Sequence, residues 1–124
     1  MTSGSDSVTV RRASADDLPV IIDVCGTALQ WSDLDTDQAF FRWKHLENPW
    51  GASPIWVAVD GEEGGPADPA PIVGVRTMMR WGLNDPSGAA HQAVRAVDTA
   101  TLPSHQGRGI FSRTTMAAVE SLTD

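Results

Sequence analysis

The alternation of apolar and polar residues divides the first half of the chain into three elements. Val8 to Arg12 alternates as a half-buried strand does. Apolar residues then recur at helical spacing from about residue 14 to residue 29, behind a capping pattern that begins at Ser14. A second helix is predicted over Asp35 to Leu46, because Asn48-Pro49 stops it and an acid or threonine caps it.

The second half of the chain changes to the two-residue period of strands. Strands are predicted over Ile55 to Val59, Ile72 to Trp81 and Gln92 to Leu102, and a final helix over Gly107 to Leu122. The Gly- and Pro-rich stretch from 61 to 71 is predicted to be a mobile loop. The order β-α-α-β-β-β-α predicts an α+β, three-layer fold with a mainly antiparallel central sheet.

Length and composition indicate one folded domain. The chain has 124 residues, of which 41% are hydrophobic and 20% charged. Residues 1–7 are predicted to be a flexible tail, and residues 8–124 a single domain.

Charge and cysteine content narrow the class of function. A net charge of −7 opposes binding to nucleic acid, and the one cysteine, Cys25, opposes a disulfide framework. No zinc-type spacing is present, so no metal is expected. No apolar run approaches a membrane span, and the N-terminus lacks the features of a signal peptide. We therefore expect a cytoplasmic protein that binds no membrane.

The segment from Asp98 to Arg113 carries the strongest chemical signal. A strand ends at Pro103, and the turn Gln106-Gly107-Arg108-Gly109 leads directly into a helix. Two glycines permit positive φ and close approach of a ligand, and the free N–H groups of a helix N-terminus attract anions. From Arg95 to Arg113 there are three arginines and one acid, so this segment is positive within a chain of charge −7. The pattern favours a phosphate site; the alternative is an ordinary strand-to-helix turn.

Two other phosphate-binding motifs fit less well. A P-loop requires a lysine after its second glycine, whereas the only lysine here is Lys44. A dinucleotide fingerprint requires a third glycine, where this chain has Ser112.

Pro103 and Gln106-x-x-Gly109 resemble motif A of the GNAT N-acetyltransferases, and the order of elements over residues 8 to 122 is also similar to that family. Phe111 departs from the pattern, since the family usually has Gly or Ala there. The resemblance implies transfer of an acetyl group from acetyl-CoA to an amine on a small molecule or peptide. The alternative is a non-catalytic acyl-CoA-binding or protein-interaction module of the same fold.

The resemblance also implies the cofactor contacts. The pyrophosphate of coenzyme A is expected on the N–H groups of Gln106 to Ser112, and the pantetheine arm along Thr99 to Leu102. The implied cofactor-binding residues are Thr99, Thr101, Leu102, Gln106, Gly107, Arg108, Gly109, Ile110, Phe111 and Ser112.

The resemblance further implies a domain that continues beyond the third helix, so we expect the chain to be incomplete at its C-terminus. The strand over Gln92 to Leu102 would then have an exposed edge, through which a homo-oligomer is possible. The chain has no tyrosine, the residue that often protonates the leaving thiolate in this family.

Asp98 is the candidate general base. Strict alternation places it on one face with Val94, Ala96, Ala100 and Leu102, where burial would raise the pKa of its carboxyl group. The alternative is a hydrogen-bonded structural aspartate.

The aromatic residues around the second helix allow two interpretations. Phe40, Phe41, Trp43 and Trp50 are predicted to belong to the core, and the alternative is the wall of an acceptor pocket. Cys25 is predicted to be buried, and His105 to pack over the turn. His45 and His91 indicate no shared site.

Overall fold

The computed structural model describes residues 7–62 and 70–122. Within them the strands are β1 (Val8–Arg12), β2 (Ile55–Asp60), β3 (Ile72–Asn84) and β4 (Ala90–Thr101). The helices are α1 (Leu18–Ala28), α2 (Leu34–Leu46) and α3 (Ile110–Leu122). Residues 1–6 of the predicted tail and most of the predicted loop at 61–71 lie outside the described residues. No helix in the described part of the chain is long and apolar enough to cross a membrane.

The strands form one antiparallel sheet in the order β1-β2-β3-β4. Helix α1 packs on one face, against β3 and β4, with α2 beside it, and α3 packs on the other face across β1, β2 and β3. The predicted α+β, three-layer fold is therefore confirmed. Strand β4 is an edge of this sheet within the described residues.

Two helices begin later than their sequence patterns predict. A single 3-10 turn, Ala15–Asp17, precedes α1, and the backbone N–H of Ser14 donates to the Asp17 carboxylate at 2.7 Å. Hydrogen bonds from Arg11 to that carboxylate lower the pKa of Asp17 to about 2. Helix α3 begins at Ile110 rather than Gly107, because Gly107 and Gly109 have positive φ, which an α-helix does not allow.

The hydrophobic core lies on both faces of the sheet. Under α1 and α2, Phe41 and Cys25 pack against Val57 and Val75. Burial raises the pKa of the Cys25 thiol to about 12, as expected for a small buried residue. Under α3 the core is made by Trp56, Met78 and Ala118, and next to it by Ile110 with strand residues.

Neighbouring phenylalanines on α2 provide a matched test of this packing. The side chain of Phe41 is completely buried, whereas Phe40 is 53% exposed. We expect Phe41→Ala to lower the free energy of unfolding by about 3–5 kcal/mol, and Phe40→Ala by under about 1 kcal/mol. Chemical denaturation of both variants measures the difference, and equal losses would contradict the placement of α2.

Candidate functional site

A β-bulge in β4 shapes the site. Val75 pairs with Ala100 and Thr77 pairs with Val97, so that Asp98 and Thr99 together lie opposite Arg76. Asp98 takes the left-handed conformation, with φ of 55°, which is uncommon for a residue other than glycine. The extra residue shifts the two-residue alternation by one position, so side chains before and after the bulge that would have shared a face lie on opposite faces of the sheet.

The strict alternation predicted for β4 is therefore wrong. Ala96 pairs with Met78, which packs in the core under α3, whereas Ala100 packs in the core under α1. The two alanines lie on opposite faces, and Asp98 does not share one face with both. No pattern in the sequence marks the bulge.

Two side chains from α2 bind the carboxylate of Asp98. Lys44 Nζ lies 2.6 Å from Asp98 Oδ2, and His45 Nε2 lies 2.8 Å from the same oxygen. Burial acts to raise the pKa of Asp98, but the hydrogen bonds and charges of His45 and Lys44 outweigh it and lower that pKa. The expected burial is present, but the expected raised pKa is wrong.

The same network continues through His45 to Ser53. The His45 ring is fully buried, and its Nδ1 lies 2.8 Å from Ser53 Oγ. Because an ionised carboxylate can only accept, His45 Nε2 donates to Asp98, while Nδ1 shares a hydrogen bond with the Ser53 hydroxyl. Sequence reasoning missed Lys44, His45 and Ser53, because the two α2 residues are 53 or 54 positions from Asp98.

Arg76 occupies the opposite face of the bulge. Its side chain is buried, with the residue only 3% exposed, and burial lowers the pKa of its guanidinium. The guanidinium donates to Thr99 Oγ1 at 2.6 Å and to Thr115 Oγ1. Its Cζ lies 3.9 Å from the centroid of the Phe111 ring. No carboxylate contacts it within residues 7–62 and 70–122. Arg76 thus brings together Thr99 and Phe111, which the sequence predicts as cofactor contacts.

The turn after β4 is fixed to the end of β2. A 3-10 turn, Pro103–His105, follows the strand, and His105 Nε2 lies 2.7 Å from Asp60 Oδ2. Hydrogen bonds from Ser7 and then His105 lower the pKa of Asp60. His105 therefore anchors the turn, in agreement with its expected packing role.

The backbone around Gly107 and Gly109 is open. Their φ angles are 81° and 73°, and a Cβ built on either residue would meet no atom within 4 Å. The space beside the start of α3 is thus available to a ligand, and Arg108 is exposed between the two glycines.

The other predicted contacts in this segment have different surroundings. The Gln106 side chain donates to the Thr101 carbonyl oxygen at 3.2 Å. Ile110 is buried in the core, and Leu102 packs against the same core. Because the Ile110 side chain is buried, only the backbone of Ile110 could contact a ligand at the turn. Phe111 and Ser112 are exposed.

An aromatic groove lies between α2, the following loop and β3. We define the groove by Phe40, Trp43, Pro49, Trp50, Met79 and Trp81, with Lys44, Asn48 and Arg80 at its edges, and its volume is about 410 Å³. The prediction that the aromatic residues belong to the core holds for Phe41 alone of the four, since Phe40, Trp43 and Trp50 are more than half exposed.

A search for metal ligands gives no candidate. No group of three or more His, Cys, Asp or Glu residues that could hold a metal ion is present among the described residues.

Solved structures reveal what this arrangement resembles. A probable N-acyltransferase from Enterococcus faecalis matches with a TM-score of 0.72 and 14% identity, over 93% of this chain and 26% of its own. An acetyltransferase from Corynebacterium glutamicum related to histone acetyltransferase HPA2 matches with a TM-score of 0.62 and 25% identity, over 93% and 71%. Aminoglycoside N-acetyltransferase AAC(6')-Iy, solved with CoA, matches with a TM-score of 0.63 and 14% identity, over 98% and 72%. No family model and no curated protein sequence matches the chain.

The chain has the fold of the GNAT acetyltransferases. The resemblance in fold that was drawn from the order of elements is confirmed. The chain spans about a quarter of the Enterococcus protein and about 70% of the other two GNAT-type proteins.

The ion pair at the β4 bulge predicts a pH dependence. A lowered pKa of Asp98 stabilises the fold at pH values above the ordinary aspartate pKa of about 3.9, and this contribution is lost as pH falls through the folded-state pKa. At pH 7 we expect Asp98→Asn to lower the free energy of unfolding by about 1–3 kcal/mol.

Denaturation from pH 7 to pH 2 tests this expectation. The difference between Asp98→Asn and the parent chain should shrink below about pH 4. Asp23→Asn, which removes an exposed carboxylate from α1, is the control for charge alone. A difference that is constant across the range would contradict the ion-pair assignment.

Proposed function

We propose that this protein transfers an acetyl group from acetyl-CoA to an amine. The observation that carries the proposal is the turn of two positive-φ glycines, which faces open space where the N-terminus of α3 meets the bulged edge strand. Free N–H groups and the helix dipole make such a turn suitable for a pyrophosphate. The similarity to an N-acetyltransferase solved with CoA supports the same ligand class.

The residues present fit coenzyme A in two places. Its pyrophosphate would contact the N–H groups of Gln106 to Ser112, with the exposed Arg108 guanidinium beside it. Its pantetheine arm would run along Thr99 to Leu102 as an added strand, since β4 is an edge of the described sheet. The ring of Phe111 covers Arg76 at this end of the strand.

The reaction requires few groups from the protein. The amine nitrogen attacks the thioester carbonyl carbon, the carbon–sulfur bond breaks, and the amine loses a proton while the thiolate gains one. We assign Asp98 as the base that accepts the amine proton and passes it to solvent. Its carboxylate is ionised at neutral pH, although the lowered pKa makes it a weaker base than an ordinary aspartate. The thiolate would take its proton from solvent.

A second candidate function is a non-catalytic acyl-CoA-binding module. It is favoured by the ion pair of Asp98 with Lys44, which occupies the carboxylate that the reaction would use. The two functions share the cofactor site and differ in turnover.

The cofactor site is tested by two variants of the turn. Arg108→Ala should weaken coenzyme A binding by about 1.5–3 kcal/mol, through loss of a charge-assisted hydrogen bond. Gly109→Ala should also weaken binding, because a residue with Cβ disfavours the φ of 73°. Isothermal titration calorimetry with coenzyme A measures both effects.

Gly88→Ala is the matched control. Gly88 also has positive φ, 89°, and open space around it, but it lies in the β3–β4 turn. If all three variants bind coenzyme A like the parent chain, the cofactor site lies elsewhere.

Turnover separates the enzyme from the binding module. We expect Asp98→Asn to lower kcat about 10²–10⁴-fold while the affinity for acetyl-CoA stays nearly constant. Because the pKa of Asp98 is lowered, its titration should give no acidic limb above about pH 4. A thiol-release assay measures both quantities. Normal turnover of the variant would return Asp98 to a structural role, and binding without turnover in the parent chain would favour the module.

A further inference from the structure

The aromatic groove presents its rings to solvent rather than to the core. Trp43 is 57% exposed and Trp50 is 62% exposed. On the α2 side, the rings of Phe40 and Trp43 are stacked, with centroids 6.0 Å apart and an angle of 14° between their planes. Exposed rings that converge on one concave surface are typical of ligand sites.

The opposite wall of the groove is attached to the sheet. The Asn48 side chain donates to the Arg80 carbonyl oxygen at 2.9 Å and accepts from the Trp50 backbone N–H at 2.9 Å. The Trp50 ring packs on Gly82, where an added Cβ would lie 2.2 Å from a ring carbon. The sequence thus places a glycine where the ring needs space, so the wall is formed before any ligand binds.

The polar groups of the groove leave few partners for a hydroxyl-rich ligand. The two hydrogen bonds of Asn48 are made within the protein, and Arg80 Nε donates to the Ala52 carbonyl oxygen at 2.9 Å. No carboxylate lines the groove in the described part of the chain. The groove therefore suits a flat, apolar group of a small molecule that fits within about 410 Å³.

Lys44 connects the groove to Asp98. Lys44 lines the groove, with its Nζ 4.4 Å from the centroid of the Phe40 ring and 2.6 Å from Asp98 Oδ2. A ligand whose ring lies between Trp43 and Trp50 and whose amine is on a short arm would extend toward this carboxylate.

We propose that the aromatic groove binds the acceptor, and that the acceptor is a small primary amine carried on a planar aromatic ring. This assignment rests on the proposed acetyl transfer for its role as acceptor, but the binding itself can be measured separately. Ring stacking on preformed indole faces supplies the affinity, and Lys44, which lines the groove and contacts Asp98, marks the side on which the amine would lie.

The experiment compares three amines by calorimetry on the 124-residue chain saturated with coenzyme A. The probes are phenethylamine, butylamine without a ring, and the hydroxyl-rich glucosamine. We expect phenethylamine to bind about tenfold more tightly than butylamine, the factor that corresponds to about 1.4 kcal/mol, and glucosamine to bind no better than butylamine.

Two variants test whether the groove causes the preference. Trp43→Ala removes an exposed ring, and Gly82→Ala displaces the Trp50 ring without removing one; each should reduce the preference for the aromatic amine about threefold or more. Met116→Ala is the control, because Met116 is 54% exposed on α3, across the sheet. The Met116→Ala variant should keep the parent chain's preference for phenethylamine over butylamine.

The possible outcomes distinguish amine binding in the groove from the proposed acetyl transfer. A ring preference that both variants reduce, without any thiol release from acetyl-CoA, supports the groove as an aromatic-amine site and overturns acetyl transfer. Thiol release with equal kcat/KM for phenethylamine and butylamine supports the transfer and overturns the groove. Absence of ring preference in binding, or a preference unchanged in both variants, also overturns the groove.

Discussion

The attachment of Asp98 to Lys44 and His45 is the contact on which the site depends. A left-handed conformation is unfavourable for aspartate, and it persists only where surrounding contacts hold it. Here the side chain is held from α2, and Arg76 holds the neighbouring Thr99 from the other face. The bulge is thus fixed on both sides of the sheet, and with it the path of the last part of β4.

This path determines which residues reach the turn. Because the bulge reverses the faces of β4, Ala100 enters the core under α1 and Thr99 reaches Arg76 on the α3 side. The strand then ends at a turn that His105 fastens to Asp60. The open backbone at Gly107 and Gly109 therefore lies at a defined position between the edge strand and α3.

The positive groups have different roles in this acidic chain of charge −7. Arg76 and Lys44 are largely buried, and they stabilise the bulge through hydrogen bonds to Thr99 and Asp98. Arg108 is exposed beside the turn, where a screened surface charge contributes little to stability but attracts an anion. The two buried cations thus stabilise the bulge, whereas the exposed Arg108 is the one that we propose contacts the phosphate of the ligand.

The sequence by itself determined the order of elements, the antiparallel sheet and the turn at Gln106 to Gly109, since these follow from periodicity, glycine and proline within a few residues. It did not reveal the bulge, the partners of Asp98 or the exposure of the groove aromatics. The predicted raised pKa of Asp98 and the predicted core positions of Phe40, Trp43 and Trp50 were therefore wrong. Those features depend on pairs such as Lys44 and Asp98, 54 positions apart. Only the packing of α2 on the sheet brings such pairs together, and local patterns carry no signal for contacts at that separation.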